Sequence, residues 1–253
     1  MSKIKLKSEF DKWKEENEQH GRHAFSRFIM LKFLDELQEI SDEFVFKGGN
    51  LLWHYIKTPR ETVDLDLATI NLKSHLEVKY IIEKSFNNHS EIEFRIKEFK
   101  EVGGVEELGA GVILEFKTNS GQMNQFSLDI IYALPTDTAK VKSTIDGKHR
   151  KSASLENIVC DKLAASYQFK SGNTRMKDFD DLWRISQSDI KVDSRKLKKL
   201  LESKDLPLKL NLEWITFLIE SWKRHTKSYK DIPRDLSSVF KDINSWLSKL
   251  EKK

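Results

Sequence analysis

The chain has 253 residues, 38% hydrophobic and 10% aromatic, so it can bury a core and is not of the disordered class. Its formal net charge of +4 is compatible with a polyanionic partner without requiring one. The single cysteine, Cys160, excludes a disulfide framework and a cysteine-rich zinc site. The N-terminus lacks the apolar region of a signal peptide, and no apolar stretch approaches the roughly 20 residues that span a bilayer. We therefore expect a cytoplasmic protein with no membrane partner.

The spacing of apolar residues predicts the elements of the first third of the chain. Spacings of three and four predict helical structure over about residues 7–40. Short strands are predicted over 43–47 and 62–68, with a short helix over 50–56 between them. A second amphipathic helix is predicted over 74–86.

The pattern of apolar residues changes twice in the remainder of the chain. Alternation predicts three consecutive strands over 90–134, divided by turn residues and arranged as a meander. No strand is predicted after Pro135, and from Ser154 onward the periodicity is helical. The predicted fold is therefore α+β, with a mixed sheet and flanking helices in residues 1–140 and a helical C-terminal domain in residues 141–253.

Two aspartates interrupt the second predicted strand. Because side chains alternate along a strand, Asp64 and Asp66 share the face opposite to Leu65 and Leu67, about 6.7 Å apart. Carboxylates at this spacing can hold Mg²⁺ or Mn²⁺, whereas without a cation their repulsion costs on the order of 4 kcal/mol. Asp129 interrupts a later apolar strand and would complete a three-carboxylate metal site if the two strands are neighbours. The alternative is an ordinary strand with its aspartates facing solvent.

A glycine turn, Lys47-Gly48-Gly49-Asn50, connects the first predicted strand to the short helix. Glycine allows positive φ and close approach of a ligand, and a helix N-terminus offers free N–H groups and a positive partial charge. These properties favour a phosphate site. The alternative is a plain strand-to-helix turn, since the segment matches neither the Walker A nor the dinucleotide fingerprint.

The string "KGGNLLWHYIKTPRETVDLDL", residues 47–67, resembles the AbiEii/AbiGii toxin family of nucleotidyltransferases. The pattern of that family is roughly Lys-Gly-Gly-Thr, then Leu, then Arg-x-Ser-x-Asp-[Ile/Leu]-Asp-Leu. Arg60 and Thr62 stand at the matching places before the two aspartates. Asn50 replaces the usual Thr and Thr62 the usual Ser, and both substitutions keep a polar side chain. With two later segments, the resemblance covers about residues 44–185.

Those later segments are "ENIVCDKLAA", which contains Lys162, and "RMKDFDDLWRI", which contains Asp178 and Asp181. Lys162 lies on the apolar stripe of a helix, where a lysine forms either a structural ion pair or a contact with a phosphate. Asp178 lies at the start of a helix, where an aspartate also complements the helix dipole. The resemblance implies that Lys162 neutralises a triphosphate and that Asp178 is catalytic, while Asp181 is expected to be structural.

The resemblance implies an enzyme that transfers NMP from an NTP to an acceptor hydroxyl and releases pyrophosphate. The cofactor would be Mg²⁺ or Mn²⁺, and the catalytic residues would be Asp64, Asp66, Lys162 and Asp178. The residues expected to bind nucleotide are Lys47, Gly48, Gly49, Asn50, Arg60, Thr62 and Lys162.

The resemblance also implies an RNA acceptor such as a tRNA 3′ end, which the basic stretch 140–151 and the lysine-rich segments near 195–200 and 223–230 would contact. It implies a type IV toxin with a cognate antitoxin, acting in abortive infection as phage defence. One alternative is transfer to a protein or small-molecule hydroxyl. The other is a non-catalytic nucleic-acid-binding module with a relict site.

Overall fold

A computed structural model describes most of the chain: residues 2–18, 23–57, 62–72, 74–86, 91–103, 108–229 and 231–252. The chain divides into two compact units, which are residues 1–54 with 61–153, and residues 55–60 with 154–253. Within the described ranges, none of the helices combines the length and the apolar character needed to cross a membrane.

The chain up to Ala153 forms a sheet with accompanying helices. The helices described there are α1 (Ser2–Glu16), α2 (Ala24–Ile40), α3 (Gly48–Ile56) and α4 (His75–Ser85). The strands described there are β1 (Phe44–Lys47), β2 (Asp64–Thr69), β3 (Ile92–Gly103), β4 (Leu108–Thr118), β5 (Met123–Ile131), β6 (Thr138–Lys142) and β7 (His149–Ala153). These strands lie in the order β3-β4-β5-β2-β1-β7-β6. The β1–β7 and β2–β5 pairs are parallel and the others antiparallel, so the sheet is mixed, as predicted.

The predicted strands and the meander of β3, β4 and β5 are confirmed. The helical pattern predicted over 7–40 corresponds to two separate helices, α1 and α2. The prediction of no strand after Pro135 is wrong, since β6 and β7 pair with each other and β7 pairs with β1. Both strands are five residues long and rich in charge, so their alternation gives little signal. The boundary expected near residue 140 therefore falls inside the sheet, and the units divide after Ala153.

One face of the sheet packs against α2 through aromatic side chains. The ring of Phe33 lies 5.3 Å from that of Phe94 and 5.9 Å from that of Phe126, centroid to centroid. Leu65 and Leu67 of β2 are fully buried, as predicted. Each buried side chain of this size contributes roughly 1.5–3 kcal/mol, which fixes the face that β2 turns towards the core. A slip of one residue would exchange the leucines for the neighbouring aspartates.

The second unit is helical beyond Ala153, as predicted, and three of its described helices begin at side-chain caps. They are α5 (Leu155–Phe169), α6 (Met176–Gln187), α7 (Ser194–Glu202), α8 (Ile215–Thr226) and α9 (Leu236–Glu251). Ser154, Asp193 and Asp235 accept backbone N–H bonds at the starts of α5, α7 and α9. The rings of Phe179 in α6 and Phe240 in α9 pack 5.0 Å apart.

A buried ion pair between Arg150 and Asp35 connects the β6–β7 hairpin to α2. The carboxylate of Asp35 accepts from Arg150 Nε at 2.9 Å and from Ser143 Oγ at 2.5 Å. Arg150 also donates to Asp146 at 2.5 Å, so this member of the basic stretch 140–151 is a core residue and not a surface contact for RNA. Burial raises the pKa of Asp35 from 3.8 to about 6, against the opposing effects of the Ser143 hydrogen bond and the Arg150 charge.

We expect Asp35 to make stability depend on pH. A carboxyl whose pKa is raised by folding contributes stability that is complete below pH 3.8 and is lost as the pH rises through about 6. The difference in free energy of unfolding between wild type and Asp35→Asn should therefore fall by about 2 kcal/mol between pH 4 and pH 6. Urea unfolding at each pH measures this difference. A difference that stays constant between pH 4 and pH 6 would contradict this role of Asp35.

Candidate active site

Three carboxylates converge where β2 and β5 run side by side. The parallel register places Asp66 opposite Asp129 and Asp64 opposite Ser127, so the strands are neighbours as the metal-site hypothesis requires. One oxygen from each of Asp64, Asp66 and Asp129 lies within 4.8 Å of the other two. Asp64 and Asp66 are half-buried and Asp129 is exposed. Hard carboxylate oxygens in this arrangement can hold a divalent cation such as Mg²⁺ or Mn²⁺.

The glycine turn lies directly against these carboxylates. Gly48 has φ +72°, and a Cβ at this position would overlap Oδ2 of Asp66. The backbone N–H of Gly49 points to the same oxygen, at 3.4 Å. Lys47 pairs in register with Asp66 across the β1–β2 ladder. Glycine is therefore required at position 48 both by backbone conformation and by space.

Asn50 lies in the first turn of α3, and its side chain is bonded within the protein. Its amide Nδ2 donates to the carbonyl oxygen of Asp64 at 2.6 Å, and its Oδ1 accepts from Arg27 Nε at 3.1 Å. The residue is 1% exposed. Any contact of Asn50 with a phosphate would thus come from its backbone N–H and not from its side chain.

Thr62 precedes β2 and is buried, with 5% of its surface exposed. Among the described residues, its Oγ1 has no hydrogen-bond partner. A buried hydroxyl without a partner costs free energy. The role of Thr62 in nucleotide binding stays a prediction. Arg60, the other nucleotide-binding residue predicted in this segment, lies outside the described residues.

Lys162 forms a buried cluster of charges in the helical unit. Its Nζ lies 3.2 Å from Oδ1 of Asp178 and 2.6 Å from Oδ2 of Asp181. Arg175 Nε donates to the other oxygen of Asp178 at 2.9 Å. Lys162 therefore forms the ion pair that the sequence left open as one of two alternatives. Its contact with a phosphate, and a catalytic role for Asp178, remain predictions.

Comparison with protein families matches residues 32–252 to the family described as nucleotidyl transferase AbiEii toxin, type IV TA system. The chain belongs to the AbiEii family. Its members are nucleotidyltransferase toxins, and the matched range contains the carboxylates, the glycine turn and the Lys162 cluster. Comparison with curated proteins gave no match.

Two solved structures from Helicobacter pylori are similar to this AbiEii chain. One, described as a candidate nucleotidyltransferase, has a TM-score of 0.59 and 13% identity, covering 92% of this chain and 96% of that one. The other, JHP933, has a TM-score of 0.57 and 13% identity, covering 92% and 93% of the two chains. Identity this low shows a shared fold alone, and that fold agrees with the predicted nucleotidyltransferase class.

Sequence reasoning did not select Arg27 as a residue of the site. It lies in α2 within the apolar run "AFSRFIML", and it is 6% exposed. Arginine is almost never fully buried unless it is paired, so an arginine inside such a run was the available signal. Only the tertiary structure identifies Asn50 as its partner.

We expect Gly48→Ala to weaken cation binding by displacing the Asp66 carboxylate. Gly121→Ala is the matched control, because Gly121 has φ +87° but an added Cβ would meet nothing within 4 Å. Both substitutions should cost about 1–2 kcal/mol of stability through left-handed backbone strain. Only Gly48→Ala should also weaken Mn²⁺ binding, by about tenfold or more, for a loss of at least ~1.4 kcal/mol.

Titration of free Mn²⁺ by electron paramagnetic resonance measures this binding, and urea unfolding measures the stability. Equal Mn²⁺ affinity in the two variants would contradict a role for the Gly48–Asp66 approach in the metal site.

Proposed function

We propose that this AbiEii chain is a metal-dependent nucleotidyltransferase that transfers NMP from an NTP to an acceptor hydroxyl and releases pyrophosphate. The observation that carries the proposal is the group of three carboxylate oxygens within 4.8 Å of one another, in contact with a glycine turn that opens a helix. A hard cation at the carboxylates and an anion at the helix N-terminus are the two ligands that such a site favours. A magnesium nucleotide carries both.

In this reaction the protein has to position the nucleotide and the acceptor and to neutralise the charge of the phosphates. Asp64, Asp66 and Asp129 would hold Mg²⁺ or Mn²⁺, which polarises the α-phosphate when bound. Backbone N–H groups of Gly48 and Gly49 would contact the phosphate tail. Further nucleotide contacts are proposed for Lys47, Asn50, Arg60, Thr62 and Lys162.

The acceptor that we propose is an RNA, such as a tRNA 3′ end. This part of the proposal, like the role in phage defence and the location in the cytoplasm, comes from resemblance to the family. Membership of a type IV toxin–antitoxin family supports a cognate antitoxin as partner. Transfer to a protein or small-molecule hydroxyl and a non-catalytic nucleic-acid-binding module are the alternatives that the experiment separates.

We expect Asp64→Asn and Asp66→Asn each to lower NMP transfer by at least about 100-fold, through loss of a metal ligand. The measurement is incorporation of label from each of the four NTPs into total RNA, in Mg²⁺ and in Mn²⁺. Asp42→Asn should match wild type, since its exposed carboxylate precedes β1, at the far end of that strand from the glycine turn.

Each alternative predicts a different result in the same assay. Label in protein or in small molecules, without label in RNA, would replace the proposed acceptor. No transfer, together with RNA binding that persists in Asp64→Asn, would refute the enzymatic proposal in favour of the binding module.

The Lys162 cluster allows its structural and catalytic roles to be separated. Lys162→Met removes the cation between two buried carboxylates and should cost about 3–5 kcal/mol in urea unfolding. Lys162→Arg keeps the charge and should retain most of this stability. A catalytic role predicts that Lys162→Arg still loses transfer by about tenfold or more, because arginine does not replace a lysine at a point contact with phosphate. Wild-type transfer by folded Lys162→Arg would restrict Lys162 to a structural role.

A further inference from the structure

Arg27 is a buried arginine that contacts the start of α3 from α2. Its Nε donates to Asn50 Oδ1 at 3.1 Å, and its guanidinium carbon lies 5.0 Å from the centre of the Trp53 ring. Arg27 is 6% exposed and Trp53 fully buried, so both side chains are fixed by packing. The hydrogen bond and the ring both restrict the orientation of the guanidinium group.

Asn50 connects Arg27 of α2 to the backbone of β2. Because Oδ1 accepts from Arg27, the amide must present its Nδ2 donor on the other side, where the Asp64 carbonyl oxygen accepts at 2.6 Å. Asp64 supplies one carboxylate of the acidic group, and Gly48 and Gly49 directly precede Asn50. One amide therefore joins the backbone of the glycine turn to the backbone of the strand that carries two of the carboxylates.

We propose that Arg27 is a positioning residue of this site, acting through Asn50 to hold the glycine turn in register with Asp64 and Asp66. The inference rests on the proposed function, because the turn and the carboxylates are the parts that would hold the phosphates and the cation of one nucleotide. Their separation must match the distance between the phosphate tail and the α-phosphate. A shift of about 1 Å at such a site can lower the rate by about 100-fold.

An ordinary structural arginine would behave differently, and the same unit contains one for comparison. Arg150 is also 6% exposed, and its Nε also donates to a side-chain oxygen on α2, that of Asp35 at 2.9 Å. Its described partners, Asp35, Asp146 and Glu39, belong to neither the turn nor the carboxylate group. Arg150→Lys therefore reproduces the cost of altering a buried arginine without touching the site.

The first measurement is amide hydrogen exchange, which needs neither nucleotide nor activity. Arg27→Lys and Asn50→Ala should each speed exchange of the α3 amides by about tenfold relative to wild type, the effect of losing roughly one hydrogen bond. Arg150→Lys should leave α3 exchange unchanged once its global stability is taken into account. Unchanged α3 exchange in Arg27→Lys would overturn the proposal.

The second measurement is NMP transfer at saturating Mg²⁺ and NTP, per folded molecule. Arg27→Lys and Asn50→Ala should lower kcat by up to about 100-fold and change KM for the NTP by less than about threefold, because alignment matters most in the transition state. The double variant should lose little more than the stronger single variant, since both residues act through one contact. Arg150→Lys should keep the wild-type kcat.

The outcomes separate this inference from the function on which it rests. Faster α3 exchange with an unchanged kcat would overturn the positioning role, as would independent, multiplying losses in the double variant. A wild-type chain that transfers NMP to no acceptor would overturn the proposed function. In that case exchange alone decides whether Arg27 holds the turn in place.

Discussion

The parallel pairing of β2 with β5 is the interaction on which the candidate site depends. It sets Asp66 of β2 beside Asp129 of β5, although α4, β3 and β4 lie between these two strands in the sequence. The register is held by burial, since Leu65 and Leu67 occupy the core face and a slip would replace them with carboxylates. The hydrophobic effect thus maintains a like-charge cluster on the opposite face. A bound cation would relieve the repulsion among these carboxylates.

The second part of the candidate site is the glycine turn, which lies against the carboxylates. Gly48 leaves room for the Asp66 carboxylate, and Asn50 joins α3 to the Asp64 carbonyl. Asn50 in turn is oriented by Arg27, whose guanidinium lies against Trp53. Backbone, carboxylates and a buried arginine therefore form one connected group. In the proposed reaction, this connection would keep the glycine turn and the carboxylates aligned before a substrate binds.

The Lys162 cluster pairs its carboxylates with cations. Lys162 contacts Asp178 and Asp181, and Arg175 contacts Asp178, so two cations compensate two buried carboxylates. Removal of either partner would leave a charge without compensation, which is far more costly than the pair itself. A positive charge at position 162 therefore stabilises the fold independently of any contact with a nucleotide. Variants at this position are informative only when folding is measured beside transfer.

The local pattern of residues in the sequence was sufficient to predict the elements that carry the candidate site. Alternation around Asp64 and Asp66 identified the strand and its two faces, and Gly48-Gly49 identified the turn, because these features depend on neighbouring residues alone. The same local logic failed at β6 and β7, whose short charged strands are stabilised by pairing with β1 and with each other. The spacing of apolar residues over 7–40 indicated helical structure but did not mark where α1 ends and α2 begins.

Only the tertiary structure determined which distant residues meet. The strand order placed Asp129 beside Asp66, and packing of α2 brought Arg27 to Asn50, 23 residues away in the chain. The sequence left several anions as possible partners of Lys162. In the structure its Nζ contacts Asp178 and Asp181. Periodicity reports which face of an element is buried and not what covers that face. The sequence by itself therefore determined the types of residue in the site, and the fold determined their partners.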